Sequence, residues 1–321
     1  MPVKRIAPNR GSLPPMKPKT RGKVVAETVT EGFALPTAPK EVVMDLQAYT
    51  CLVYGREKWG KTTFFSSFPG ALFFSTEPGS KGLSIYDFNS EAGGVKDWAI
   101  LRAGVKLLVE NPGQFKYVII DTVDRAYDMC LDWVCQQFKI PYPGEDTLGR
   151  EDHGKSWRAV KQEFTTQIHT LLHAGYGVAF TSHAKEATIR SRHGDEYSRI
   201  FPTMSGQARG VVEALVDMFF YGEYYKVNGD TVRVMVTEGD ETVWAGHRPI
   251  AGKRLPRFIP VDEGTGYQRL LDAFEGKPVG IDPGALLPSK VTSKTGGEFA
   301  KRSSLIPSVK QPLRVVRKVT K

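Results

Sequence analysis

Tyr54-Gly55-Arg56-Glu57-Lys58-Trp59-Gly60-Lys61-Thr62-Thr63 is the stretch that decides how this chain is read. The apolar run Tyr49–Tyr54 enters it, and a helix can leave it at Gly60–Lys61. Gly55 and Gly60 stand where the backbone must adopt geometry that a Cβ resists. With a strand before and a helix after, the loop's N–H groups and the helix N-terminus would converge on phosphate oxygens. Lys61 would then pair with β- and γ-phosphates, and the Thr62 hydroxyl would coordinate Mg²⁺. Arg56, Glu57, Lys58, Trp59 and Thr63 complete the expected nucleotide-binding stretch. Trp59 is bulky for such a loop, and it either packs on a neighbouring element or lies over the nucleotide.

Three more short apolar runs, Ala71–Thr76, Tyr117–Asp121 and Gly177–Ser182, read as strands buried on both faces. Helical spacing follows Asp121 at Ala126, Tyr127, Cys130, Trp133, Val134 and Phe138. A second stripe is formed by Trp157, Val160, Phe164, Ile168, Leu171 and Leu172. Strands separated by helices imply parallel βαβ units. A further helix is expected over 206–217. Met218–Val227 and Thr231–Glu238, joined by Asn228-Gly229-Asp230, read as a C-terminal β-hairpin. The fold class is therefore α/β, with a mostly parallel central sheet flanked by helices.

The strand ends carry the chemistry. Tyr117-Val118-Ile119-Ile120-Asp121 can deliver a carboxylate to the sheet edge beside the phosphate loop, where Asp121 would hold Mg²⁺, often through water. Asp124 reads as an acid at a helix N-terminus. Glu77, which follows the strand Ala71–Thr76, is the candidate to orient or deprotonate water. His183 ends the run Phe180-Thr181-Ser182-His183 and is placed to contact the γ-phosphate. His169 and His173 share a helix face, but no acid or cysteine completes a metal set. Glu145, Asp146, Glu151 and Asp152 read as a solvated loop cluster.

Composition agrees with a folded middle between two basic ends. The chain has 321 residues, 40% hydrophobic and 25% charged, with a net charge of +9. Residues 1–25 hold seven Lys/Arg and no acid, and residues 286–321 hold nine Lys/Arg and one Glu. These ends contribute +7 and +8, so residues 26–285 are mildly acidic at −6. Residues 1–40, with seven prolines, and residues 277–321 are expected to be disordered basic tails around a domain over 41–276. Such tails suit nucleic acid by counterion release, or are merely solvated. No apolar run approaches the roughly 20 residues of a membrane span. The basic N-terminus lacks the apolar core of a secretory signal, so a cytoplasmic location is expected. Cys51, Cys130 and Cys135 fit neither a disulfide framework nor a metal spacing, and read as reduced and mostly buried.

These strand-end positions resemble the RecA-type ATPase core, where a glutamate follows the strand after the phosphate loop and a polar sensor ends a later strand. Residues about 48–260 more specifically resemble the phage-encoded RecA-like ATPases. These are AAA-type nucleotide-binding proteins that include single-strand annealing recombinases. The stretches YGREKWGKTT, FFSTEPG, YVIIDTVD, HGKSWRAVKQEF, VAFTSHAKE and RIFPTMSGQARGVVEALVDMFFY carry the likeness.

The resemblance implies ATP and Mg²⁺ as cofactors, with nucleotide-site roles for Lys61, Thr62, Glu77, Asp121 and His183. It implies a DNA-facing loop from about Ala184 to Met204, with Lys185, Arg190, Arg192, His193 and Arg199 around Tyr197, a mixture suited to single-stranded DNA. It also implies a homo-oligomer, ring or filament, in which a neighbour's cation completes the ATP site, and Arg248 is the chosen candidate. A single-strand DNA-binding protein is an expected partner class, and the host cytoplasm the setting if the chain is phage-encoded. The expected activity is DNA-stimulated ATP hydrolysis. The alternatives are a P-loop phosphotransferase such as a nucleotide kinase, and a non-catalytic DNA-annealing protein with ATP as a structural ligand.

Overall fold

The computed structural model describes residues 35–281, except 193, 228 and 251, together with residues 286–288. The chain divides into Met1–Glu41 and Val42–Lys321, and the elements below belong to the second unit. In chain order they are β1 (Cys51–Gly55), α1 (Lys61–Ser66), β2 (Ala71–Ser75), β3 (Tyr86–Asp87), α2 (Trp98–Glu110), β4 (Tyr117–Asp121), α3 (Val123–Phe138), α4 (Lys155–His173) and β5 (Gly177–Arg190). There follow β6 (Glu196–Pro202), α5 (Gly206–Leu215), β7 (Met218–Val227), β8 (Asp230–Val236), β9 (Gly246–His247), β10 (Phe258–Pro260), α6 (Gly266–Phe274) and β11 (Leu286–Pro288).

The continuous apolar runs become strands covered on both faces, because successive side chains point to opposite sides of a sheet. Leu52, Phe74, Val118, Ile120, Val178 and Phe180 pack with α2, α3, α4 and α5. Their neighbours Val53, Phe73, Ile119 and Ala179 pack on the other face with Phe64 and Phe65 of α1 and Leu270 and Phe274 of α6. The main strand order is β10-β8-β7-β1-β5-β4-β2-β3. From β7 to β3 every pairing is parallel, and β8, β9, β10 and β11 add antiparallel strands at the C-terminal side. The expected hairpin is β7–β8.

Three expectations need correction. His183 does not end its strand. Ala184–Arg190 continue β5 because they pair antiparallel with β6, from Ala184↔Pro202 to Arg190↔Glu196. The DNA-facing loop expected over Ala184–Met204 is therefore mostly a β-hairpin. Ordered chain also runs past 276. The Ile281 N–H donates to Phe258 O at 3.0 Å, and β11 pairs with β7 from Leu286↔Val227 to Pro288↔Tyr225. β7 outlasts β1, whose last partner is Gly222, and the free edge beyond it can take another strand. The disorder expected for residues 1–34 and 289–321 lies outside the described residues.

Candidate active site

The phosphate loop leaves β1 at Gly55 and closes on α1 at Lys61. Gly60, the N-cap of α1, has φ +101°, a conformation that side chains resist. At Gly55 a Cβ would fall 2.9 Å from Gly222 O, so β7 approaches as closely as only glycine permits. Trp59 is fully buried and does not lie over the loop. Its indole N–H donates to Glu223 O at 3.1 Å, and its ring covers Gly222, where a Cβ would fall 2.4 Å from it. Tyr224 adds a hydroxyl donation to Lys58 O at 3.3 Å. The loop's outer face is thus fastened to β7. Gly222→Ala is expected to destabilise the fold by about 1–3 kcal/mol through overpacking, read as a lower denaturant midpoint at unchanged m-value.

Lys61 is only 7% exposed. Its Nζ donates to Gly55 O at 3.1 Å and Arg56 O at 3.2 Å, so it folds back over the loop mouth. Burial pushes its pKa down, while Asp121, Asp124, Glu57 and Glu77 pull it up. A desolvated ammonium in this position is best stabilised by an anion. Arg56, Glu57 and Lys58 are exposed at the loop surface, and Thr63 is half-buried behind them.

The sheet register brings the other strand ends to the same edge. Gly55 lies opposite His183, and Ser75 opposite Asp121, with β5 between β1 and β4. The Thr62 hydroxyl donates to Asp121 Oδ2 at 2.7 Å, and the Thr181 hydroxyl donates to Asp121 Oδ1. A hydroxyl and a carboxylate beside a phosphate cradle form the all-oxygen donor set that a hard cation takes, so Thr62 and Asp121 fit Mg²⁺.

Both oxygens of Glu77 are held. Oε1 accepts from the Thr122 hydroxyl at 3.0 Å, and Oε2 lies 3.3 Å from His183 Nε2. Thr122 is held in turn by its N–H donating to Thr76 Oγ1 at 2.9 Å. Glu77 is 42% exposed and faces a cavity of about 440 Å³ lined in part by Thr76, Ser80, Lys81, Lys96 and Arg125. Asp124, in the first turn of α3, accepts from the Thr203 hydroxyl at 2.5 Å, and the Thr203 N–H donates to His183 O at 2.9 Å.

Lys61, Thr62, Glu77, Asp121 and His183 are therefore brought together, and Arg248 is not. Arg248 pairs with Asp217 at 3.1 Å, just before β7 begins beside Cys51, at the end of the sheet opposite the phosphate loop. Thr122 and Thr181 are site residues that sequence reasoning missed. The first was signalled by its place after Asp121, and the second by a hydroxyl that ends an apolar run two residues before His183. Among the described residues, no group of three His, Cys, Asp or Glu could hold a metal, and all three cysteines are free and buried.

A family model described as an AAA domain matches residues 47–249. The chain belongs to this AAA domain family. The matched span contains the phosphate loop, Glu77, Asp121 and His183. This AAA domain thus carries its phosphate loop and these three side chains at one edge of a mostly parallel sheet.

The SPbeta prophage-derived uncharacterized protein YorG of Bacillus subtilis (strain 168) is 23% identical over 167 residues, 50% of this chain and 46% of that protein. The chain thus spans less than half the length of this curated relative. Two solved structures are also similar. The KaiC-like protein PH0186 of Pyrococcus horikoshii OT3 gives a TM-score of 0.35 at 13% identity, over 67% of this chain and 86% of its own. The flagellar accessory protein FlaH of Methanocaldococcus jannaschii gives 0.37 at 9%, over 67% and 84%. Among the described residues no helix is long and apolar enough to cross a membrane.

Proposed function

We propose that this protein is a Mg²⁺-dependent ATPase that handles single-stranded DNA in phage recombination or replication, as a homo-oligomer in the host cytoplasm. The observation that carries the reading is the Glu77–His183 contact. It ties the water-facing carboxylate to β5, whose outer half becomes the β5–β6 hairpin. The prophage origin of the Bacillus relative supports the phage setting.

Loop N–H groups and Lys61 bind the β- and γ-phosphates, and Thr62 with Asp121 hold the cation. Bound Mg²⁺ supplies positive charge against the phosphate oxygens. Glu77 orients a water and takes its proton on a carboxylate oxygen. His183 and Thr122 keep that carboxylate in place. Loss of the γ-phosphate changes the surroundings of Glu77 and His183, and His183 passes the change to Thr203 and the hairpin.

On the hairpin, Lys185, Arg190, Arg192 and Arg199 stand against Glu186, Asp195 and Glu196. Phe201 is buried with Arg209 Cζ 4.6 Å and Lys185 Nζ 5.3 Å from its ring centre, which leaves the half-buried Tyr197 as the aromatic open to a strand. Cations with aromatics suit a single strand. The test is fluorescence anisotropy of a labelled oligo-dT strand across a salt series. Wild type should bind at low salt. Arg190→Ala with Arg192→Ala should weaken binding about tenfold and flatten the log–log salt slope by about 1.4, from two lost phosphate contacts. A wild type that binds no strand at low salt would refute the DNA role.

A further inference from the structure

The cation that the ATP site draws from the rest of the fold is expected from a neighbouring subunit, but the structure offers one from the same chain. Arg233 lies on β8 opposite Tyr224, beyond the end of β1. Its guanidinium rests against Gly60, where a Cβ would fall 2.9 Å from Nη1 and 3.2 Å from Cζ. Glycine at 60 thus meets two demands, a positive φ and room for this side chain. Arg233 is 22% exposed, and its Nε is buried without a hydrogen-bond partner. Its ion pair is long, Nη2 to Glu263 Oε1 at 3.6 Å, and Glu263 is 80% exposed. Exposed pairs of this kind contribute little. A mostly buried guanidinium with weak internal compensation sits one residue from Lys61, and burying a charge without a matched partner is costly.

We propose that Arg233 is a positioning residue of its own subunit's nucleotide site. It holds Gly60 from the outer side of the loop, and its charge is balanced by the polyphosphate of a bound nucleoside di- or triphosphate. The inference rests on the ATP-site reading. It differs from an arginine finger, because the cation acts in cis and is present before any neighbour arrives.

The experiment measures binding of fluorescent ATP, ADP and AMP analogues by anisotropy for wild type, Arg233→Met and Arg233→Lys. Met keeps the packing volume and removes the charge. ATP and ADP affinities should fall about tenfold in Arg233→Met, AMP affinity should change less than about twofold, and Arg233→Lys should recover most of the loss. A purely structural arginine would weaken all three nucleotides alike, and that result would overturn the proposal. So would wild-type ATP affinity in Arg233→Met. Glu263→Gln is the second variant, because its exposed site tolerates change. Removing the opposing carboxylate should tighten ATP about twofold and leave AMP unchanged, and no change in ATP binding counts against the proposal. Mixing Arg233→Met with Lys61→Ala should restore no turnover, since both lesions lie in one subunit's site. Restored turnover would place Arg233 in a neighbour's site. A wild type that binds none of the three nucleotides removes the ATP-site reading itself, whereas normal wild-type binding with an unaffected Arg233→Met removes only this inference.

Discussion

Glu77→Gln is expected to lower ATP turnover by about 10²–10⁴-fold while ATP affinity changes less than about threefold. The amide keeps the size of the carboxylate and can still accept the Thr122 hydroxyl, now made to Oε1 at 3.0 Å. What it loses is the capacity to take a proton from water. It also loses the second acceptor oxygen, which now faces His183 Nε2 at 3.3 Å. Binding lives on the phosphate loop after β1, with β5 and β4 between it and the strand before Glu77, so affinity is spared. Single-turnover hydrolysis beside a binding titration separates the two quantities. Turnover within a few-fold of wild type would remove Glu77 from the reaction. A wild type that binds ATP without turning it over would favour the structural-ligand alternative.

Lys61→Ala is expected to cost about 2–5 kcal/mol of ATP binding, a loss of roughly 30- to several-thousand-fold. The side chain is 7% exposed, so its charge is worth far more against phosphate than a surface lysine's. Folding should survive, because burial already disfavours this ammonium and no helix or strand hydrogen bond depends on it. ATP should therefore raise the melting temperature of wild type and leave that of Lys61→Ala in place, which a thermal shift assay reads directly.

Much of this architecture was legible because burial on both faces writes strands as unbroken apolar runs. Cys51–Tyr54, Leu72–Phe74 and Val118–Ile120 could be placed for that reason, and the parallel register then sets Asp121 beside Ser75 and brings Glu77 to the same edge. α2 carried the same kind of signal and went unread. Trp98, Leu101, Val105 and Leu108 share a face, and Asp97 caps the helix by accepting the Ile100 N–H at 2.9 Å. The outer half of β5 was not legible. Ala184–Arg190 mixes charged, small and aliphatic residues with no buried stripe, and its strand character comes from pairing with β6, not from its own sequence. The contacts that shape the phosphate loop were also beyond local reading. Trp59 finds its place on Gly222, and Gly60 finds Arg233, across distances in sequence that no periodicity reports. Arg248 was chosen for its charge near Trp244 and Gly246, and the fold turns it to the far end of the sheet. Its role toward a neighbouring subunit remains a proposal about the assembly.

The proposed reaction requires one edge of the sheet to hold a nucleotide's phosphates and a magnesium ion in reach of Glu77. The measurement that tests this most directly is phosphate release from ATP in Mg²⁺, with Thr62→Ala and Asp121→Ala assayed beside wild type and again in EDTA. Release by wild type in Mg²⁺, with loss in EDTA and in both variants, is the predicted result. Release that persists in Asp121→Ala, or that ignores the chelator, would contradict it.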